Sequence, residues 1–187
     1  MEKVKGNWVQ VTVEEFLDDV AEDPTKDIRK LIVDTANSQL KVKEDKGPNE
    51  DKEGQIAYYW SLWEDNRVHP GIGLGDAWCA VFASAVYADS GAVIEGEGYI
   101  GLSYVPFMVK HAKEEGSFLN PSEVAKVKPG DLIFYSERGK GRPDHVGIVV
   151  GVNKNTLNTV EGNYKSGVNT RRVSKDKKQI VGFLSLD

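Results

Sequence analysis

His145-Val146-Gly147-Ile148-Val149-Val150-Gly151-Val152 decides the fold class. The run is apolar and rich in β-branched residues, so it predicts a core strand. Asp131 to Tyr135, Thr156 to Val160, Val168 to Val173 and Ile180 to Leu184 are runs of the same kind, set apart by turn residues. Short strands in unbroken succession predict an antiparallel meander. Upstream the period changes. Ala80 to Ser90 is small and apolar at helical spacing and ends at Gly91, a helix-stopping residue. Ile28, Leu31, Ile32, Thr35, Ala36 and Leu40 also recur at helical spacing. Helices first and strands after predict an α+β fold.

Asp23-Pro24 reads as the start of the helix carrying Ile28, and Thr12 with Glu15 as a capping box for a shorter one through Phe16, Leu17 and Val20. Lys41 to Gly54 is charged and contains Gly47-Pro48-Asn49, a loop signal. Tyr58, Tyr59, Trp60 and Trp63 fall on a further helix, either as core packing or as an aromatic wall facing a ligand.

The chain has 187 residues, a length suited to one domain with an N-terminal extension. Its net charge of −5 gives no global signature for nucleic acid or an anionic membrane. Arg171, Arg172, Lys175, Lys177 and Lys178 form a local basic cluster, read as a solvated hairpin. The N-terminus lacks an apolar signal core, and no apolar run is long enough to span a bilayer. Action outside the producing cell would therefore need release or delivery by another device. The chain has one cysteine, so no intrachain disulfide can form. Gly71, Gly73 and Gly75 lack the strand–helix context of a nucleotide loop, and three scattered histidines with one cysteine make no zinc site. No cofactor or metal is expected; Asp45, Glu50 and Asp51 are a weak candidate for calcium only.

The candidate chemistry starts at that cysteine. Cys79 opens the Ala80–Ser90 helix, where the positive end of the macrodipole stabilises a thiolate. The small Ala80 lets a substrate approach the helix-start amides, which can hold an oxyanion. His145 begins the core strand, a place where a ring is positioned without being engulfed. Glu161 and Asn163 end the next strand, within reach of His145 if the two strands pair antiparallel, and either can orient the imidazole. Each residue also has a plain reading: a buried thiol, a histidine after a turn, a Gly-Asn turn. Trp78 and Tyr104 are candidate cleft walls with core packing as the alternative.

Four stretches in order carry a resemblance: Ala77-Trp78-Cys79-Ala80-Val81-Phe82, Lys128-Pro129-Gly130-Asp131-Leu132-Ile133-Phe134, Asp144-His145-Val146-Gly147-Ile148-Val149 and Val160-Glu161-Gly162-Asn163. Together they resemble the CHAP family, the cysteine- and histidine-dependent amidohydrolases and peptidases of the papain-like clan. Ala36 to Glu44 is similar to the helix and glutamate-bearing loop that often precede the cysteine there. The resemblance spans roughly Ile28 to Leu184 and implies a domain over 28–187 behind an extension over 1–27. It implies a papain-like CHAP fold, with N-terminal helices on an antiparallel sheet of about five to six strands. It makes Cys79 the nucleophile, His145 the base, Glu161 the orienting residue and Asn163 a further polar residue of the site. It implies a peptidoglycan substrate, as in phage lysins and related cell-wall hydrolases, with amidase and endopeptidase both open. A thiol hydrolase or acyltransferase on protein amides, and a silent wall-binding or phage structural domain, stand as alternatives. Gly91 to Pro106 reads as an insertion that shapes or covers the cleft. Oligomeric state is left open.

Overall fold

The computed structural model describes residues 27–44, 54–62, 73–92, 95–96, 99–100, 103–139 and 141–187. Outside them lie the expected helix over Thr12–Val20, the expected helix start at Asp23-Pro24, the expected loop at Gly47-Pro48-Asn49, Trp63, His69, Gly71, the Asp45, Glu50 and Asp51 trio, and the extension apart from Asp27.

Three helices come first. In α1 (Ile28–Ser38) the Asp27 side chain accepts from the Lys30 amide at 3.1 Å and satisfies one of the free helix-start donors. Ile32 and Ala36 are its buried face. Arg29, on another face, donates to Asp131 Oδ1 at 2.7 Å and to the Pro129 carbonyl at 3.0 Å. The fully buried Asp131 also accepts from the amides of Lys128 and Leu186, so it joins α1, the turn before the sheet and the C-terminal residues. The second helix, α2 (Gly54–Ser61), buries Ile56, Tyr59 and Trp60, which settles Tyr59 and Trp60 as core. The third, α3 (Cys79–Asp89), is buried at every position from Cys79 to Tyr87. A helix apolar all round belongs inside a protein. It ends where Gly91 takes φ +82°, a left-handed conformation that glycine adopts without a Cβ penalty.

A two-stranded hairpin, β1 (Glu95–Gly96) with β2 (Tyr99–Ile100), lies in the expected insertion. Helix α4 (Val105–Glu114) follows, with Pro106 in its first turn, so this proline opens a helix. Then come β3 (Phe118–Leu119), a 3₁₀ helix (Pro121–Lys126), β4 (Leu132–Tyr135), β5 (His145–Val152), β6 (Thr156–Glu161), β7 (Asn169–Ser174) and β8 (Ile180–Leu184). Among the described residues no helix is long and apolar enough to cross a membrane.

The main sheet is six-stranded and antiparallel, in the order β3-β8-β4-β5-β6-β7. The architecture is α+β, as expected. The meander, however, covers only β4 to β7. Strand β8 returns to the free side of β4, and β3, too short to read from a pattern, pairs beyond it. One sheet face, with Leu132, Phe134, Val146, Ile148 and Val160, packs on the helices. The other, with Ile133, Tyr135, Val149, Leu157, Val173, Ile180 and Phe183, is covered partly by Val124 and Val127.

The turn after β6 presses on the start of α3. A Cβ built on Gly162 would sit 2.5 Å from Phe82 Cβ and 2.8 Å from Trp78 Cζ3. Gly162→Ala should therefore cost about 1–3 kcal/mol of stability, as overpacking does. A chemical denaturation midpoint equal to wild type would contradict that close approach.

Candidate active site

Cys79 is the first residue of α3 and only 3 % exposed. Its helix has Trp78 at the N-cap with no side-chain cap, so no side chain there competes for the first amides. His145 is the first residue of β5, opposite Tyr135 on β4. Glu161 is the last residue of β6, fully buried, beside Gly147 on β5. The antiparallel β5–β6 pairing thus brings Glu161 to His145, with Nε2 and Oε2 2.9 Å apart. With Nε2 committed to Glu161, Nδ1 is the ring atom that remains for Cys79, one of the two groups that raise the His145 pKa. The three residues predicted from sequence are therefore brought together.

Burial opposes a charge on His145, but Cys79 and Glu161 outweigh it and push its pKa up to about 10. Burial likewise opposes a charge on Glu161, yet hydrogen bonds and charge from His145, with help from Thr159 and Arg171, hold its carboxyl below the usual range. Glu161 Oε1 accepts from Thr159 Oγ1 at 2.6 Å and from Tyr135 Oη at 2.9 Å. A buried carboxylate needs this many donors. The Tyr135 ring stacks on the imidazole at 5.8 Å and the Tyr164 ring flanks it at 6.4 Å.

Gly147 makes room for this carboxylate. A Cβ there would lie 2.7 Å from Glu161 Cγ and 3.1 Å from Oε1. Gly147→Ala must push Glu161 away from His145, and we expect activity to fall about 10- to 100-fold, the scale of a misplaced orienting group. Hydrolysis rates on folded protein check this.

A cleft of about 460 Å³ opens beside Cys79. Ala77, Cys79 and Ala80 form one side, Tyr104 and Pro106 another, and Arg142 and Asp144 of the β4–β5 loop a third. Tyr104 is thus a cleft wall, hydrogen-bonded through its hydroxyl to Arg142. Trp78 is not. It is fully buried, stacked with Tyr59 at 6.1 Å, with Nε1 donating to Glu44 Oε1 at 2.8 Å. As Cys79 faces the cleft, the preceding residue turns into the core between α2 and α3. Asn163, at φ +54°, donates to the same Glu44 oxygen at 3.1 Å. Glu44 therefore ties the residue before Cys79 to the turn after Glu161.

The basic cluster needs correcting. Arg172 and Lys178 are exposed as expected, but the Arg171 side chain is only 13 % exposed and lies 3.4 Å from Glu161 Oε2. Tyr135, Thr159 and Arg171 are site residues that sequence reasoning missed. Only the alternation of Thr159 with Glu161 along β6 hinted at one of them.

The CHAP domain family model matches residues 71–163 of this chain. Those residues are a CHAP domain. The match takes in Cys79, His145, Glu161 and Asn163, while β7 and β8 complete the sheet beyond it. Among solved structures, NlpC2 from Trichomonas vaginalis is similar to the chain carrying this CHAP domain at a TM-score of 0.50 and 12 % identity, over 87 % of this chain and 47 % of that one. The peptidoglycan hydrolase RipB from Mycobacterium tuberculosis aligns with a TM-score of 0.49 and 19 % identity, over 88 % of this chain and 68 % of its own. The chain thus spans about half the length of NlpC2. At these identities the likeness concerns fold alone. A comparison with curated proteins gives no match.

Proposed function

We propose that this chain hydrolyses amide bonds of bacterial cell-wall peptidoglycan, with Cys79 as nucleophile, His145 as general acid and base, and Glu161 as the residue that orients His145. The observation that carries the reading is the histidine whose ring nitrogen meets a buried carboxylate at 2.9 Å, together with Cys79 at an uncapped helix start that lines a cleft. The wall substrate rests on the CHAP family. Residues 28–187 are read as the catalytic unit and 1–27 as an extension, with access to the wall through release or delivery.

His145 takes the proton of the Cys79 thiol. The thiolate attacks the amide carbonyl, and the helix-start amides, that of Cys79 included, hold the oxyanion. The imidazolium then protonates the leaving amine, and a thioester remains. Neutral His145 takes a proton from water, hydroxide displaces the thiolate, and the acid leaves. Glu161 favours the charged ring throughout. Asn163, through Glu44, holds the turn that follows Glu161, and Tyr104 contacts the substrate.

Mass spectrometry of soluble products from purified peptidoglycan tests this, with wild type beside Cys79→Ala. Intact stem peptides freed from glycan would name an N-acetylmuramoyl-L-alanine amidase, and shorter peptides an endopeptidase. No product from wild type across several wall types would reject the wall substrate.

A further inference from the structure

We propose that Arg171 is a positioning residue of this site: its guanidinium shares Glu161 with His145, keeps that carboxylate charged through the cycle, and so sets the pH range over which the Cys79–His145 pair works. The proposal rests on the hydrolase reading above.

Arg171 Nη1 lies 3.4 Å from Glu161 Oε2, the oxygen that His145 meets at 2.9 Å. The same nitrogen donates to Glu137 Oε1 at 2.7 Å. Two rings hold the guanidinium, Tyr135 at 4.8 Å and Tyr164 at 5.3 Å from its carbon, and these rings also flank His145. The β6–β7 register fixes the arrangement, because Arg171 pairs with Thr159, whose hydroxyl donates to Glu161. An arginine here is neither solvated nor accidental.

Its chemistry differs from that of His145. The imidazolium loses its proton each time it protonates a leaving amine, whereas a guanidinium cannot be deprotonated in a protein. Without Arg171 the buried Glu161 would then face neutral neighbours, and a buried carboxylate without a cation is costly. Glu161 would tend to take a proton itself. With Arg171 it remains an anion, ready to receive the imidazolium again.

The surrounding charges fix the sign. The titratable groups near the pair are Cys79 on α3, Tyr135 on β4, Tyr164 in the turn before β7, and Glu137 of the β4–β5 loop, which pairs with Arg171 and with Lys177 of the turn before β8; Arg138 pairs with Asp144, and Lys165 lies over Tyr164, farther out. Removing the cation nearest Glu161 leaves its negative charge undivided. That opposes the thiolate, binds the imidazolium more tightly and lets Glu161 protonate sooner on acidification. All three effects move the working range to higher pH. Glu137→Gln should do the reverse, because Arg171 would then serve Glu161 alone.

The chain has one cysteine, so iodoacetamide alkylation reads the pair at Cys79 with no substrate present. We would follow alkylation and peptidoglycan hydrolysis against pH in wild type, Arg171→Gln, Arg171→Lys, Glu137→Gln and, as a surface control, Arg172→Gln. Arg171→Gln should shift the acid limb of both profiles up by about one pH unit, as loss of a nearby opposite charge does. Its kcat near neutrality should fall about tenfold with KM little changed, the mark of an interaction not used in binding. Arg171→Lys should restore most of the shift, Glu137→Gln should move the limb the other way, and Arg172→Gln should match wild type. Unshifted limbs in folded Arg171→Gln overturn the proposal. Should that variant not fold, an unmoved limb in Glu137→Gln overturns it equally. A wild-type thiol that alkylates only as a free thiol does would sink the hydrolase reading instead, which keeps the two failures apart.

Discussion

Cys79→Ala should leave no measurable hydrolysis, a loss of about 10⁵-fold, the scale seen when the nucleophile of a hydrolytic unit is removed. The folded state should survive. The side chain is buried at a helix start, alanine is the best helix former, and the change deletes one sulfur atom. Intact circular dichroism with an unreactive wall digest is the expected pair of results. Hydrolysis at wild-type rate by Cys79→Ala would remove the nucleophile from the scheme.

His145→Ala should lose nearly as much, and the double variant Cys79→Ala with His145→Ala should be no worse than either single one, because residues that act as one unit are not additive. His145 also gives a signed pH signature. Its folded-state value is pushed up from 6.5 to about 10, so its stabilising contribution is complete below 6.5 and is lost as pH rises through about 10. Glu161 is shifted the other way from 4.5, so its contribution is present above 4.5 and is lost as pH falls through its lower folded value. The pair therefore stabilises the fold most between about 4.5 and 6.5 and fades toward 10. Hydrolysis by wild type should fall on an alkaline limb near 10, where the imidazolium is lost. Melting temperatures of wild type and His145→Ala, compared across pH, should converge above that limb. A difference that persists unchanged to high pH would deny His145 its charge.

The strands were the legible part of this chain. Strands β5 and β8 fall on the residues that their apolar runs predict, and Gly91 stops α3 as a glycine should. Cys79, His145 and Glu161 were legible because each sits at the end of an element, where position along the chain already limits direction. Trp78 was not, since whether the residue before a helix turns to cleft or core depends on what packs there, here Tyr59 and Phe82. Arg171 was hidden for a related reason. In sequence it is one of several basic residues, and only the pairing of β7 with β6 lays it against Glu161. The place of β8 beside β4 is a long-range pairing that no local pattern carries.

The cleft is built from unlike materials. Cys79, His145 and Glu161 stand on a core helix and two paired strands, so a change among them disturbs the interior. Tyr104 and Arg142 face the same space from connecting segments that the core does not depend on. Under the proposed hydrolase reading, bond-breaking and bond choice fall to separate parts of the chain. A library confined to Tyr104, Arg138 and Arg142 should then alter which amide is accepted while the means of cutting it stays in place.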